Sequence, residues 1–291
     1  MTVAFQGELG AFSEEAVRAV FGAAELAPQL AFEDVFEALE AEAVDRAVVP
    51  IENSLFGSVR VNYDLLRTHA VQIVGELNLR IRHHLMAVSG AALGAIQAVV
   101  SHPQALGQCR QFLRRDLPDA APQPTYDTAG AARAVAETGD PTRAAIASQA
   151  AAARYGLDVL AAEIEDDAQN FTRFLVLARA GEHVEPPAAP SDEGVMRTSG
   201  AMKTSIAFAL RDNVPGALFK SLAVFALREL DLFKIESRPW VGKPGRYVFY
   251  LDVEGARTDD ALANAIGHLR EITASLNVLG SYPQAALPTG A

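Results

Sequence analysis

The chain has 291 residues, of which 50% are hydrophobic and 21% charged, with a formal net charge of −11 and one cysteine, Cys109. The length suits two cores better than one, the acidic balance excludes an electrostatic grip on nucleic acid, which needs clustered Lys and Arg, and the lone cysteine excludes an internal disulfide framework. No apolar run approaches the roughly 18 residues that span a bilayer, and the start "MTVAFQGELG" has no basic segment followed by an apolar one, so a cytoplasmic protein without a membrane partner is expected.

In chain order, short β-rich runs first alternate with Ala-rich amphipathic segments: "TVAFQG" and then 13–21, "LAFE" and then 34–41, "RAVVPIE" and then 62–68. The alternation resumes with "AVVSHP" before 104–115, with 128–137 before "AAIAS", and with 149–155 before "RFLVLAR". Strands alternating with helices across short turns predict an α/β region whose sheets are covered on both faces. Residues 71–90, "VQIVGELNLRIRHHLMAVSG", are too long for one ordinary strand. They are expected to carry the chain from a first lobe (about 1–78 and 160–182) to a second (about 79–159), with "FTRFLVLAR" bringing it back, so that two crossings form a hinge above a cleft.

In residues 181–202 Pro, Gly, Ser and acidic residues replace apolar periodicity, which predicts a linker over 183–202. Beyond it "KTSIAFAL" alternates like a strand, and "VPGALFKSLAVFALREL" carries Leu218, Leu222, Phe225 and Ala226 at helical spacing with Pro215 near its first turn. Two strands, "DLFKIESRPW" and "RYVFYLDVEG", are joined through "VGKPG", whose glycines and proline suit a hairpin. A second helix is expected to place Leu262, Ile266, Leu269, Ile272 and Leu276 on one face, and "VLGSYP" closes the set. The order βαββαβ is the ferredoxin-like unit; with one sheet face left open, it is suited to side-by-side pairing of two copies.

Five stretches put polar groups where strands end, the place at which open α/β sheets bind ligands: "GELGAFSEEA", "PIENSLFGS", "SHPQALGQC", "YDTAGAA" and "NFTRF". Taken singly, Ser13 and Thr128 read as helix N-caps, Asn53 and Ser54 as turn residues, and Gln108 as an exposed helix residue. Together, hydroxyls, amides and helix N-termini suit carboxylates, so the chemistry suggested is anion binding without a metal or redox cofactor. The histidines show no HExxH and there is no paired CxxC, GxGxxG or GxxxxGK[ST]. His102 reads as a packing histidine or an acid/base candidate without a motif partner. Cys109 reads as a core residue, and Glu52 as an orienting group or the partner of a cation.

"PIENSLFGSV", "SHPQALGQC" and "NFTRFLVL" resemble the signature stretches of prephenate dehydratases, and "GALFKSL" with "KIESRP" resembles the phenylalanine-binding part of the ACT domain that follows the catalytic region in that family. The resemblance runs through nearly the whole chain in the family's order. It implies a two-lobed, periplasmic-binding-protein-like catalytic domain over 1–182 and a ferredoxin-like ACT regulatory domain over 203–291. It also implies a lyase that converts prephenate to phenylpyruvate, needs no cofactor or metal, is feedback-inhibited by L-phenylalanine, and assembles as a homodimer or homotetramer. Asn53, Ser101, Gln108, Thr172 and Arg173 carry over as the catalytic core, with Thr172 bonded to the departing oxygen and Arg173 holding a carboxylate. Ser13, Ser54, Thr128, Asn170 and Phe171 carry over as substrate-binding residues. Asn213, Gly216, Ala217, Leu218, Glu236, Ser237 and Arg238 carry over as the phenylalanine site. The opening departs from the family: "GELGAFSE" stands where Gly-Pro and Gly-Thr are common, and Asp127 replaces a serine; no fused chorismate mutase domain is expected ahead of "TVAFQG". Arogenate dehydratase, or a two-lobed small-molecule sensor without catalysis, are the alternatives.

Overall fold

The computed structural model describes residues 1–184 and 198–286. The chain begins with β1 (Thr2–Gln6), α1 (Phe12–Phe21), β2 (Glu25–Gln29), α2 (Phe32–Glu40), β3 (Arg46–Asn53), the short β4 (Gly57–Ser58), α3 (Arg60–Thr68) and the long β5 (Val71–Arg80). It continues through β6 (His84–Ala87), β7 (Ala98–Ser101), α4 (Pro103–Gln108), α5 (Arg110–Asp116), β8 (Ala121–Pro124), α6 (Thr128–Thr138), β9 (Arg143–Ala147), α7 (Gln149–Tyr155) and β10 (Asp158–Ala161). It returns along β11 (Phe171–Arg179), and the C-terminal unit comes next as β12 (Thr198–Leu210), α8 (Ala217–Ala226), β13 (Leu232–Pro239), β14 (Tyr247–Glu254), α9 (Asp260–Ile272) and β15 (Thr273–Ala285).

Local chemistry explains the elements. Continuous apolar runs such as Val3, Ala4 and Phe5 or Ala47, Val48 and Val49 are fully buried in strands covered on both faces. Asp127 caps α6 by accepting from the N–H groups of Ala129 and Gly130 at 2.6 and 2.9 Å, and Gly139, at φ 65°, ends it in the left-handed region. Ser148 caps α7 through Ala151 N–H at 3.0 Å.

The second lobe is a five-stranded sheet in the order β10-β6-β9-β7-β8. The first lobe contributes β5-β11-β3-β1-β2 to a larger sheet of ten strands. The chain leaves that sheet along β5 and returns along β11, and the two crossings bond to each other. Ile81 N–H donates to Asn170 O at 2.8 Å, Ile164 N–H to His83 O at 2.9 Å, and His83 N–H to the Glu165 carboxylate at 2.9 Å. A paired two-strand crossing is the geometry of a hinge.

The C-terminal strands run β15-β12-β14-β13, all antiparallel, with α8 and α9 packed on one face around Phe208, Phe225, Leu251, Leu262 and Leu269. Three expectations are corrected by this arrangement. The other face of the sheet is not open: Ala207, Tyr250, Leu279 and Tyr282 pack against Tyr63, Ile73 and Leu175 of the first lobe, and the polar residues of that face find ionic partners there. Leu276 does not extend α9, which ends at Ile272; the Thr273 hydroxyl bonds back to Leu269 O at 2.7 Å and the chain turns extended into β15. The linker ends before Met202, since β12 begins at Thr198, while residues 185–197 lie outside the described residues. Glu236 and Arg238 do not pair with each other. With Lys234 they form the lobe-facing side of β13, where Lys234 meets Glu52 at 2.9 Å, Glu236 accepts from the Ser58 hydroxyl at 2.8 Å, and Arg238 meets Asp64 at 2.6 Å.

The two units share one sheet because β15 pairs parallel with β5 at Gly280 and Ile73. A Cβ on Gly280 would overlap the Ile73 carbonyl, so this contact demands glycine. Gly280→Ala is expected to destabilise the protein by about 1–3 kcal/mol, as overpacking does, read as a lower urea midpoint at unchanged slope. An unchanged midpoint would mean that the two strands separate without cost.

Candidate active site

Between the lobes lies a cleft of ≈ 440 Å³. The first lobe supplies Gln6, Ser13, Asn53, Ser58 and Thr172, the second supplies His102, Gln104, Gln108, Tyr126, Asp127 and Thr128, and His83 lines it from the crossing. Among the described residues the walls carry no Lys or Arg, and their one carboxylate, Asp127, is engaged in capping α6. An anion in this cleft therefore meets neutral donors: hydroxyls, amides and the first-turn N–H groups of α1, whereas Asp127 takes up those of Ala129 and Gly130 in α6.

Asn53 ends β3 directly opposite Thr172, near the start of β11. Its Oδ1 accepts from Leu55 and Phe56 N–H, both at 3.0 Å, which fixes which side of the amide is which. Nδ2 then faces Asn170 Oδ1 at 2.8 Å, Thr172 Oγ1 at 3.0 Å and Phe171 O at 3.2 Å. Because Thr172 Oγ1 accepts from Asn53, its own proton is left to donate into the cleft. The chain of amides continues: Gln108 Nε2 donates to Asn170 Oδ1 at 3.4 Å, and Gln108 Oε1 lies 2.6 Å from His83 Nε2.

His83 is 2% exposed, and burial holds its pKa below the usual histidine value. A neutral imidazole facing an acceptor carries its proton on Nε2, which leaves Nδ1 bare and without a partner among the described residues. The ring stands edge-on to Phe12, with centroids 5.4 Å apart.

Of the residues expected at the site, Asn53, Gln108, Thr172, Ser13 and Thr128 reach the cleft wall. Neither Ser13 nor Thr128 is an N-cap: α1 starts at Phe12 after Ala11 and α6 at Thr128 after Asp127, so both hydroxyls are free of that duty. Asn170 is fully buried one layer behind, where it orients Asn53 and Gln108. Phe171 contributes its carbonyl to Asn53 Nδ2 while its ring lies off the wall, and Ser54 braces the loop by accepting from Phe171 N–H at 3.0 Å and donating to Gln169 O at 2.8 Å. Ser101 is correctly on a strand end but wholly buried, donating to Ile146 O at 2.6 Å. Arg173 is the largest correction: alternation along β11 turns it to the opposite sheet face, where it meets Glu76, Asp252 and Tyr282. The expectation of a carboxylate-holding guanidinium in the cleft fails for that reason.

Sequence reading passed over His83 and Tyr126. The signal for His83 was the tandem histidine at the end of the long extended stretch. Glu8, the departure in the opening motif, has a role of its own across the cleft mouth. It accepts from Tyr126 Oη at 2.7 Å and from Arg133 at 3.0 Å, joining the first lobe to the second.

A hinged two-lobed α/β fold with a cleft of neutral donors and a hydroxyl fixed by an amide suits an enzyme acting on a small anion, and its relatives make it a dehydratase of the lyase type. Residues 3–182 match the family model described as prephenate dehydratase, and the chain belongs to that family. It is 45% identical over 290 residues to arogenate dehydratase/prephenate dehydratase 2, chloroplastic, of Arabidopsis thaliana, covering 97% of this chain and 72% of that protein. It is also 45% identical to arogenate dehydratase 2 of Petunia hybrida, over 97% of this chain and 72% of that one. Among solved structures, the prephenate dehydratase of Arthrobacter aurescens in complex with L-Phe superposes with a TM-score of 0.87 at 34% identity, covering 99% of this chain and 93% of that chain. GqqA, described as a novel type of quorum quenching acylase, gives 0.86 at 30% identity over 98% of both chains; a shared fold alone thus leaves the reaction open.

Asn53→Asp is expected to lower kcat at least tenfold, over ~1.4 kcal/mol, because a carboxylate there would accept the Thr172 proton and turn it from the cleft. Steady-state turnover of the folded variant checks this, and wild-type kcat would remove the orienting role. For His83 the sign of the pH effect comes from its depressed pKa. The imidazole is neutral in both states well above the usual histidine value of 6.5; as pH falls through it the unfolded chain takes up the proton first, so stability is lost toward the lower folded value. Urea unfolding at pH 7.5 and 5.5 should show a smaller loss in His83→Gln than in the wild type; equal losses would mean that His83 protonates freely in the fold.

Proposed function

We propose that the protein is a prephenate dehydratase in which the Thr172 hydroxyl, directed by Asn53, hydrogen-bonds the departing ring oxygen. In this reaction the bond from the ring to its carboxylate breaks, its electron pair moves through the diene to make the aromatic ring, and the ring C–O bond opens. Carbon dioxide leaves from one end of the ring and hydroxide from the other, and the hydroxide becomes water by taking up one proton, drawn in net from the medium. Aromatisation supplies the driving force, so the protein's tasks are to hold the carboxylates, stabilise the charge growing on the leaving oxygen, and exclude water. Neutral donors suit this, since they bind the dianion without a fixed cation that would hold the ring carboxylate against its loss as neutral carbon dioxide. The observation that carries the reading is the Asn53–Thr172 hydrogen bond, which leaves a donor in a cleft whose elements match the family.

Both of the plant relatives above bear arogenate dehydratase in their names. Arogenate has an ammonium where prephenate has a keto group and loses the same two fragments, so assays with both substrates separate the readings. Thr172→Ala is expected to lower kcat at least tenfold, with Thr172→Ser retaining more activity. Near wild-type turnover by folded Thr172→Ala would take Thr172 out of the mechanism, and no turnover of either substrate by the wild type would favour a sensor.

The C-terminal unit is read as an ACT domain that binds L-phenylalanine between the start of α8 (Asn213, Gly216, Ala217, Leu218) and Ser237 of β13; Glu236 and Arg238, also expected at this site, are turned to the first lobe instead, where Ser58 and Asp64 hold them. Its ferredoxin-like order supports this, as does Gly216, whose φ of 80° opens α8 through a left-handed turn. Exposed apolar residues on the same unit, Phe219 at 75% and Leu227 at 81% on and after α8 with Ile235 at 49% on the edge strand β13, support pairing of two copies there. L-phenylalanine is expected to inhibit turnover, and Ser237→Ala to raise the concentration for half-inhibition at least about fivefold, a loss of roughly 1 kcal/mol. Calorimetry without binding at millimolar phenylalanine would defeat the regulatory reading.

A further inference from the structure

Thr172 and Arg173 are neighbours on β11 and face opposite sides of the sheet. Thr172 lines the cleft. Arg173 reaches three strands at once: Nε donates to Glu76 of β5 at 2.6 Å, Nη1 to Asp252 of β14 at 2.5 Å, and Nη2 to Tyr282 Oη of β15 at 3.1 Å. Each partner is held in turn. Lys203 of β12 donates to Glu76 at 2.7 Å and Ala285 N–H does so at 3.0 Å, while the Ser205 hydroxyl donates to Asp252 at 2.5 Å and lies 2.6 Å from Tyr282 Oη. Glu76, Asp252, Lys203, Ser205 and Tyr282 are all buried. Two cations and two carboxylates thus balance in a cluster between the first lobe and the C-terminal unit.

Beside Arg173 the ladder of β11 with β3 is irregular: Arg173 sits opposite Glu52, but Phe174 sits opposite Pro50. Such a bulge locally disrupts a ladder and re-aims side chains. It falls one residue from the hydroxyl whose direction matters.

We propose that Arg173 is a positioning residue: by tying β11 to the C-terminal unit beside this bulge, it fixes the direction in which Thr172 presents its hydroxyl to the cleft. The C-terminal unit is then part of the catalytic scaffold. Charge chemistry favours geometry over stability as the reason for the cluster, because well-packed apolar residues often replace a buried ion cluster at no cost in stability. The cluster also engages all three guanidinium nitrogens in fixed directions, a restraint that a lysine or an apolar residue cannot supply.

The proposal rests on the dehydratase reading. Wild-type turnover is therefore measured first: its absence sinks that reading, whereas an active wild type lets the variants decide the positioning role. In Arg173→Met and Asp252→Asn, kcat is expected to fall at least tenfold with KM within about threefold. A raised KM at unchanged kcat would put Arg173 on the substrate and overturn the proposal. Where these variants do not fold, Tyr282→Phe removes one oxygen and keeps the packing. It is expected to lower kcat about threefold in the otherwise wild-type chain and to change nothing in a Thr172→Ala background, because two residues acting through one group do not add. Equal effects in the two backgrounds would mean that the cluster only supports the fold.

Discussion

The structure depends on the placement of β11 as an interior strand, bonded to β3 on one edge and to β5 on the other. An interior strand cannot turn about its axis without losing two ladders, so its alternation assigns every side chain to one face. Asn170 at its threshold orients the amides, Thr172 enters the cleft, and Arg173 enters the ion cluster beneath. The same strand is the return crossing between the lobes. The cleft's hydroxyl donor, the hinge and the attachment of the C-terminal unit are therefore set within one short run of the chain.

The cleft and the cluster divide the electrostatics between them. In the cluster, burial opposes the Arg173 charge but Asp252, Tyr282 and Glu76 outweigh it, holding its pKa well above the usual arginine value, while burial and the Arg173 charge lower that of Lys203. Losing one member of such a set leaves a buried charge unpaired, at about 3–5 kcal/mol. Among the described residues, the cleft instead keeps cations off its walls, and its one carboxylate, Asp127, is engaged in capping α6. Its histidines, His83 and His102, are both pushed toward neutrality by burial, and donors act without a counter-charge. A net charge of −11 on the chain does not prevent anion binding when preorganised N–H and O–H groups sit in a low-dielectric gap.

The C-terminal unit is bound to the first lobe along a shared sheet and along the row Lys234, Glu236 and Arg238. Ser58, which Glu236 holds, lines the cleft. One hydrogen bond thus separates the strand proposed to bind an effector from the cleft wall. Coupling between two sites needs a contact that differs between two states of the molecule, and this row lies where such a contact would act. Across the cleft mouth, Glu8 with Tyr126 and Arg133 bridges the two lobes directly, away from the paired crossings.

Much of this was legible in the sequence, for local reasons. Buried strands need unbroken apolar runs, and "TVAFQ", "AVVP" and "FLVLA" supply them; a helix start was readable at "YDTAGAA", with the cap one residue earlier than Thr128; and most amides and hydroxyls clustered at strand ends reach the cleft or its loops. Other features were not legible, because their cause lies in partners distant along the chain. Leu276 fits a helical stripe, yet pairing with Phe208 of β12 draws it into β15. Ser101 sits at a strand end like the true cleft residues, but neighbouring strands bury it. By itself the sequence determined the alternation of most elements and the identity of most reactive groups, since these depend on backbone preference and side-chain chemistry within a few residues. The polar or exposed strands β8 and β10 went unread, and "LAFE" proved to follow β2 and enter α2. Only the tertiary structure decided that Thr172 faces the cleft while Arg173 faces the C-terminal unit, because a strand has two equivalent faces until other parts of the chain cover them.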